Sequence, residues 1–314
     1  MANFAIVIDD WMTSLGLTAT AVQCWSSMQK NYGVNVCTVM SMMSQNMLPS
    51  ACEVDSAGVV SMYALQLASE RPSALVDWNN NYGNDPDKCV LFHCGNWAKE
   101  FLPDIRIGTA PILGTILGEE NTVGALEGRT PSGPMAFGRI STDDATGDIH
   151  AYVGDAYFTD DPLKTFGTRA VAQVARLREL MQCICLNGFE HHAAINASHC
   201  AAPVDEALGN YLGWKIYRHT AEHFYHWGHH GTSGQLFVVR SCWLWITPWH
   251  RSQIKPCIWT IQSTSWNFVR CGQNKPRSGW PLKFHSIGAW DQPGREHTSF
   301  HRCCATTRLP GTHF

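Results

Sequence analysis

The sequence has no Cys-x-x-Cys pair, no apolar run long enough to span a bilayer and no large excess of either charge. Each absence removes a class of protein. Thirteen cysteines are present, but the count is odd, they are spread along the chain, and the closest are Cys183/Cys185 and Cys303/Cys304. That pattern reads as reduced thiols rather than a disulfide or zinc framework. A net charge of −3 gives the whole chain no electrostatic reason to bind nucleic acid or an anionic membrane. No opening stretch combines a basic flank, an apolar core and a cleavage site, since Met1-Ala-Asn-Phe runs within a few residues into Asp9-Asp10. A cytoplasmic protein without membrane spans is therefore expected.

What is there is globular. Hydrophobic residues make up 45% of 314, enough chain for two domains of ordinary size. Composition changes abruptly near Tyr217, beyond which lie eight of the thirteen tryptophans and ten of the fifteen histidines. From His219 to Phe314, Lys and Arg outnumber Asp and Glu, and periodicity is missing apart from short runs such as Gly234-Gln-Leu-Phe-Val-Val-Arg240. A basic, aromatic segment of this kind could stack on single-stranded nucleic acid. The simpler reading is a disordered or out-of-frame tail over 219–314. Within it, His219, His223, His226 and His230 would share one face of a helix, beside His229, a spacing that suits imidazole ligation. No acidic or cysteine partner adjoins them, so opportunistic metal binding is the expectation there.

The remainder alternates strand and helix signals at first. Thr18–Gln23 and Pro49–Asp55 read as strands, while Trp25–Asn31, Val36–Met47 and Ser56–Ala68 read as helices, the last on the stripe Val59, Val60, Tyr63, Leu67 and Ala68. This predicts an α/β, three-layer parallel-sheet domain over 1–70. After Pro72 the character turns to strands: Ala74–Asp77, Cys89–His93, and a hairpin of Pro134–Ile140 and Asp148–Val153 around Ser141–Gly147. The acidic residues of that turn could bind calcium, but Asp and Gly are ordinary turn formers. Leu177–Leu186 reads as a helix, Phe189–Ile195 as a strand and Val204–Leu212 as a helix. A mainly β, barrel-like domain is expected over 71–218.

Several segments place metal-ligating side chains at strand ends: Ala51-Cys-Glu53-Val-Asp55, Ala74-Leu-Val-Asp77, Leu91-Phe-His93-Cys-Gly-Asn96 and Gly188-Phe-Glu-His191-His192. Carboxylate and imidazole donors with no required thiolate suit Mn²⁺, ahead of Mg²⁺ or Co²⁺. By spacing alone, each of these residues is more often a hydrogen-bonded structural group.

The runs Gln23-Cys-Trp, Ala51-Cys-Glu-Val-Asp, Val76-Asp-Trp-Asn-Asn-Asn-Tyr-Gly, Leu91-Phe-His-Cys-Gly-Asn, Gly124-Ala-Leu-Glu-Gly-Arg, Arg139-Ile-Ser-Thr-Asp-Asp and Asn187-Gly-Phe-Glu-His-His, in this order, resemble the L-fucose isomerase-like branch of the L-fucose/L-arabinose isomerases. The resemblance covers about residues 5 to 218. It implies a metal-dependent aldose–ketose isomerase acting on a monosaccharide through an ene-diol, with Glu53, Asp77 and His192 as ligands. Glu53 and Asp77 would also serve as general base and acid. His93 matches a further active-site histidine, and His191 or His199 could exchange roles with His192. Relatives form trimers or hexamers, so a homo-oligomer is implied.

The family also carries an α/β domain before the point where this chain begins, and His199-Cys-Ala-Ala-Pro203 departs from the family's usual run. The alternative reading is therefore a non-catalytic fragment or remnant.

Overall fold

In the computed structural model, residues 1–221 are described, with the backbone of three short strands at Ile258–Gln262, Ser265–Val269 and Ser286–Ile287. Helix α1 (Ala2–Leu15) ends at Gly16, whose left-handed backbone (φ 59°) a side chain would oppose. Then follow β1 (Thr20–Val22), α2 (Ser27–Tyr32), α3 (Cys37–Gln45), β2 (Ser50–Cys52) and α4 (Ser56–Ser69). Strands β1 and β2 run parallel in register, Ala21 beside Ala51 and Val22 beside Cys52. Alternation along a strand sends successive side chains to opposite faces. Ala21 and Ala51 accordingly join Val59, Met62 and Leu65 of α4, while Val22 and Cys52 join Ile8 and Met12 of α1 and Val39 and Met40 of α3.

Helices thus cover both faces of a parallel sheet, but the expected three-layer parallel-sheet domain over 1–70 is not confirmed as a whole. Among the described residues only β1, β2 and the pair Ser286–Ile287 make up that parallel sheet. The predicted strand runs are longer than the observed ones because apolar residues around them turn into loops and helix starts. The α1 helix went unread for a related reason: its apolar residues do not fall on one face, and Ile6 and Val7 are exposed while Ile8 is buried.

The larger part is a closed barrel. It contains β3 (Ser73–Asn81), β4 (Lys88–His93), β5 (Arg106–Gly108), α5 (Pro111–Leu117), β6 (Ala125–Arg129), β7 (Gly133–Thr142), β8 (Ile149–Thr159), β9 (Thr168–Gln173), α6 (Leu177–Leu186), β10 (His192–Asn196), α7 (Ala201–Asp205) and β11 (Lys215–His219). Six strands pair antiparallel in the ring β8-β7-β10-β3-β4-β9, which returns to β8. Closure leaves these six without a free edge. One face of each strand (Val76, Leu91, Phe137, Tyr152, Ala170, Ala193) fills the barrel with Trp97, Phe101 and Leu180. On the opposite face, Leu75, Ala136, Val153 and Ala194 pack under α4. Burial of this kind stabilises by about 25 cal/mol per Å² of apolar surface.

The barrel-like expectation for the C-terminal part thus matches the chain. The loop Ser141–Gly147 is a turn in which the Asp143 carboxylate accepts the amides of Ala145 and Thr146. The last helix starts at Ala201, earlier than expected, because Pro203 sits in a first turn where no helical N–H is needed, and it passes into a π turn over Glu206–Tyr211. No helix among the described residues is long and apolar enough to cross a membrane. His223, His226, His229, His230 and the Gly234–Arg240 run lie outside the described residues.

His219, assigned to the tail from sequence, closes β11 and is 3% exposed. Its Nε2 donates to Ala175 O at 2.7 Å, and its Nδ1 lies 3.1 Å from the Tyr217 hydroxyl. A chain ending at Ala221 is expected to be more stable than one ending at Arg218 by about 1 kcal/mol or somewhat more, since each net hydrogen bond contributes about 0.5–1.5 kcal/mol. Burial holds the His219 ring below its ordinary value of 6.5, so the unfolded chain takes up its proton first. The difference in urea midpoints should therefore be full above that value and shrink as pH falls below it.

Candidate metal centre

The carboxyl ends of β1 and β2 meet the outer face of the barrel next to α4. Glu53 follows β2 directly and, like Val54, has a left-handed backbone (φ 61° and 58°). For a β-branched valine this conformation is costly, and the surroundings must hold it. The turn is tied by Val54 N–H to Val22 O (3.3 Å) and Asp55 N–H to Cys52 O (3.0 Å). Asp55 then caps α4, accepting the Gly58 N–H at 2.7 Å. Only glycine fits at position 58, where a Cβ would stand 2.4 Å from Asp55 Oδ2.

From the barrel side, β10 pairs with β3 so that His192 lies opposite Asp77. Directly opposed residues share a face, which brings the imidazole and the carboxylate together. His192 Nε2 is 3.4 Å from Asp77 Oδ1 and 3.9 Å from Glu53 Oε2. The sequence-chosen trio therefore converges: Glu53 from the layered segment, Asp77 and His192 from the barrel. His93, at the end of β4, joins them, with its ring centroid 5.5 Å from that of His192. Ligating atoms of Glu53, His93 and His192 lie within 4.8 Å of one another, as do those of Asp77, His191 and His192. His191 is the outer of the two neighbours; its side chain is 69% exposed, yet its Nε2 is 3.3 Å from Asp77 Oδ1. His199 lies elsewhere, donating to Ala156 O at 3.0 Å and standing edge-on to Tyr157.

Behind these candidate ligands lie groups to which the sequence assigns no role. Asp55 Oδ2 accepts from His192 Nδ1 at 2.9 Å and also from Arg139 Nη1. Arg139 is buried, and its Nε contacts Glu190 Oε2 at 3.1 Å, which in turn accepts the Ser141 hydroxyl at 2.7 Å. Burial alone would raise the Asp55 carboxyl, but the His192 bond and the Arg139 guanidinium hold it far below the ordinary carboxylate range. Asp55 therefore stays ionised and fixes the proton of His192 on Nδ1. That leaves the Nε2 lone pair facing Glu53 and Asp77, an arrangement in which a carboxylate orients and strengthens a ligating imidazole. Burial lowers the His192 ring and its three acidic neighbours raise it, with a net upward shift. A proton thus competes with any cation for Nε2.

His93 has a different character. Its Nδ1 accepts the Cys94 amide at 2.9 Å, so in the neutral ring the proton sits on Nε2. That Nε2 is buried and has no hydrogen-bond partner. A buried donor left in this state is costly, and it points to a group the site is built to receive. Asp55, Arg139 and Glu190 could have been found from sequence, because each lies inside one of the runs that carry the family resemblance.

Part of the chain is similar to known proteins. The family described as L-fucose isomerase, C-terminal domain, matches residues 91–219. A sulfoquinovose isomerase from Clostridium sp. (strain MSTE9) is 29% identical over 136 residues, covering 40% of this chain and 30% of that protein. A sulfoquinovose isomerase from Alkalicoccus urumqiensis is 23% identical over 206 residues, covering 62% of this chain and 43% of its own length. The chain therefore spans less than half the length of the curated relatives it matches. Residues 91–219 are thus similar to the C-terminal domain of L-fucose isomerase, and the chain is similar over part of its length to sulfoquinovose isomerases.

Proposed function

We propose that this chain carries the metal-binding and proton-transfer part of an aldose–ketose sugar isomerase acting through an ene-diol. The observation that carries the reading is His192: its Nδ1 is committed to Asp55, and its Nε2 opens toward the carboxylates of Glu53 and Asp77. Two carboxylates and an imidazole are a hard-to-borderline donor set that fits Mn²⁺, with Mg²⁺ or Co²⁺ as weaker candidates. When bound, such a cation polarises a sugar carbonyl and stabilises negative charge that develops on the neighbouring oxygens.

The rest is work for the chain's own side chains. Isomerisation needs a proton taken from the carbon beside the carbonyl and returned to its neighbour. Glu53 and Asp77 approach from different parts of the fold, which suits a base and an acid on two sides of one substrate plane. Glu53 has a side chain 38% exposed, open enough to meet a sugar, whereas that of His192 is 6% exposed and is held as a fixed ligand. The unpartnered His93 Nε2–H is placed to donate to a substrate oxygen. Glu53→Gln is expected to abolish proton exchange with solvent while leaving the fold intact, a loss of about 10²–10⁴-fold. Full exchange in that variant would overturn the role of Glu53.

The substrate class is a monosaccharide, in a homo-oligomer of trimer or hexamer type. Sulfoquinovose, named for both relatives, is the first sugar to test, beside L-fucose and L-arabinose. The metal itself is tested by thermal unfolding with and without Mn²⁺, in the wild type and in Glu53→Gln/Asp77→Asn. Mn²⁺ at about a hundred times its dissociation constant should stabilise the wild type by roughly 2.7 kcal/mol and the variant hardly at all. No stabilisation of a folded wild type would favour a non-catalytic remnant.

A further inference from the structure

The outer face of the barrel carries a row of side chains that leads away from the candidate metal centre. His192 of β10 is in register with Asp77 of β3, Asp77 with Phe92 of β4, Phe92 with Arg169 of β9, and Arg169 with Arg129 of β6. Residues in register on neighbouring strands share a face. Arg169 therefore stands on the same face as Asp77 and His192, two strands from Asp77, or roughly 10 Å at about 4.8 Å per strand. Phe92, half-buried, lies between them and stands edge-on to Phe166.

Two arginines side by side repel, so a sheet that places them in register needs negative charge nearby. Among the described residues no carboxylate forms an ion pair with either guanidinium, because the acids of the surrounding segments are engaged elsewhere. Asp161 Oδ2 holds Lys88 Nζ at 2.8 Å, Glu127 Oε2 faces Arg106 Nη2 at 3.6 Å, Asp160 accepts the Ser132 amide at 2.9 Å, and Asp104 accepts the Arg129 amide at 3.3 Å. Main-chain carbonyls orient the two side chains without cancelling their charge. Arg129 Nη2 donates to Thr159 O at 3.1 Å and to Asp161 O, and Arg169 Nη1 donates to Gly167 O at 3.0 Å. Gly167 itself is packed on the His93 end of β4, since a Cβ there would meet His93 O at 2.6 Å and the Phe92 ring at 2.8 Å. The Nε of each arginine is buried and has no hydrogen-bond partner among the described residues. Two adjacent cations, each with a buried N–H left over, match a ligand that offers several charged oxygens at once.

We propose that Arg169, with Arg129 beside it, binds a tetrahedral oxyanion at the far end of the sugar substrate, a sulfonate or a phosphate ester on the carbon most distant from the reacting pair. This rests on the isomerase reading of the centre, which receives the other end of the molecule. The distance between Asp77 and Arg169 suits an extended six-carbon sugar with a terminal group, and Phe92 lines the path between them. Charge at a place where no bond changes is felt equally in the ground state and the transition state. The arginines therefore select acidic over neutral sugars through binding, and Arg169→Met should raise KM for an acidic sugar while leaving kcat nearly unchanged.

The test is calorimetric titration of the full chain with three aldohexoses, one bearing a terminal sulfonate, one a terminal phosphate and one neutral. The wild type is expected to bind an acidic sugar about ten- to a hundredfold more tightly than the neutral one, the contribution of one or two charge-assisted hydrogen bonds. The tighter of the two acidic sugars identifies the anion. Arg169→Met should lose most of the preference while binding the neutral sugar as the wild type does. Arg169→Lys keeps the charge without the planar fork and should keep part of the preference. Should the methionine variant fail to fold, the lysine variant and the wild type decide. Glu53→Gln/Asp77→Asn leaves both arginines in place, so the preference should survive there. Equal binding of acidic and neutral sugars by folded wild type, or an undiminished preference in Arg169→Met, would overturn the proposal, and isomerisation of any sugar would then leave the isomerase reading standing. A preference that depends on Arg169 in a chain that isomerises none of the three would support the arginine site and overturn the isomerase reading instead.

Discussion

Replacing Arg139 by methionine is expected to destabilise the chain by about 3–5 kcal/mol, read as a lowered urea midpoint with an unchanged slope. The guanidinium is 2% exposed and holds two carboxylates, Asp55 and Glu190. Methionine fills similar volume, so the cost is electrostatic: Asp55, 10% exposed, would be left with a charge and no guanidinium, only the His192 Nδ1–H and the Gly58 amide. Breaking one side of a buried pair leaves the other uncompensated, which is why the loss exceeds that of an exposed ion pair. Combining Arg139→Met with Asp55→Asn should recover part of the loss, because the stranded charge is then removed. A change under about 1 kcal/mol in the single variant would mean that Asp55 is compensated by other groups.

Asp55→Asn is expected to weaken Mn²⁺ binding by about 10–100-fold, measured by titration of the metal-dependent thermal shift. The substitution is chosen to separate two duties of one side chain. Asparagine still caps α4, since its oxygen can accept the Gly58 amide as Asp55 does. It can no longer offer a charged acceptor to His192 Nδ1, so the ring's proton and orientation lose their anchor. The apo protein should therefore melt close to the wild type after allowance for the Arg139 contact, while metal affinity falls. Equal affinity in the two proteins would show that packing alone orients His192.

The barrel was legible in the sequence, and so were Glu53, Asp77 and His192 as residues the fold brings together, for different reasons. Leu177–Leu186 was read without error because an apolar stripe and a following Asn-Gly fix both ends of α6. His93 does close β4, as a polar residue ending an apolar run suggests, whereas β3 runs on past Asp77 to Asn81, so the expected strand end at Asp77 is corrected to mid-strand. The layered segment was less legible, because β1 and β2 contribute three residues each and the surrounding apolar positions serve turns and helix contacts. The pairing of Asp77 with His192 could not be derived from spacing, since register depends on which faces are buried. Arg139 and Glu190 went unassigned because a buried ion network leaves no periodic trace. The boundary placed at His219 erred by a strand's last residue, where the shift to Trp and His in composition masked a histidine that belongs to the sheet.

The neighbours His191 and His192 show how narrowly that register is held. Successive residues of a strand face opposite ways, so a slip of one position between β10 and β3 would exchange the fixed, Asp55-bound ring for the open one. The same side-chain chemistry would then stand at the same Asp77 without its orienting carboxylate. On the proposed metal reading, fidelity of strand alignment during folding would set what fraction of molecules can hold the ion, and material with full secondary structure but sub-stoichiometric metal would be the mark of chains that closed the barrel one residue out of step.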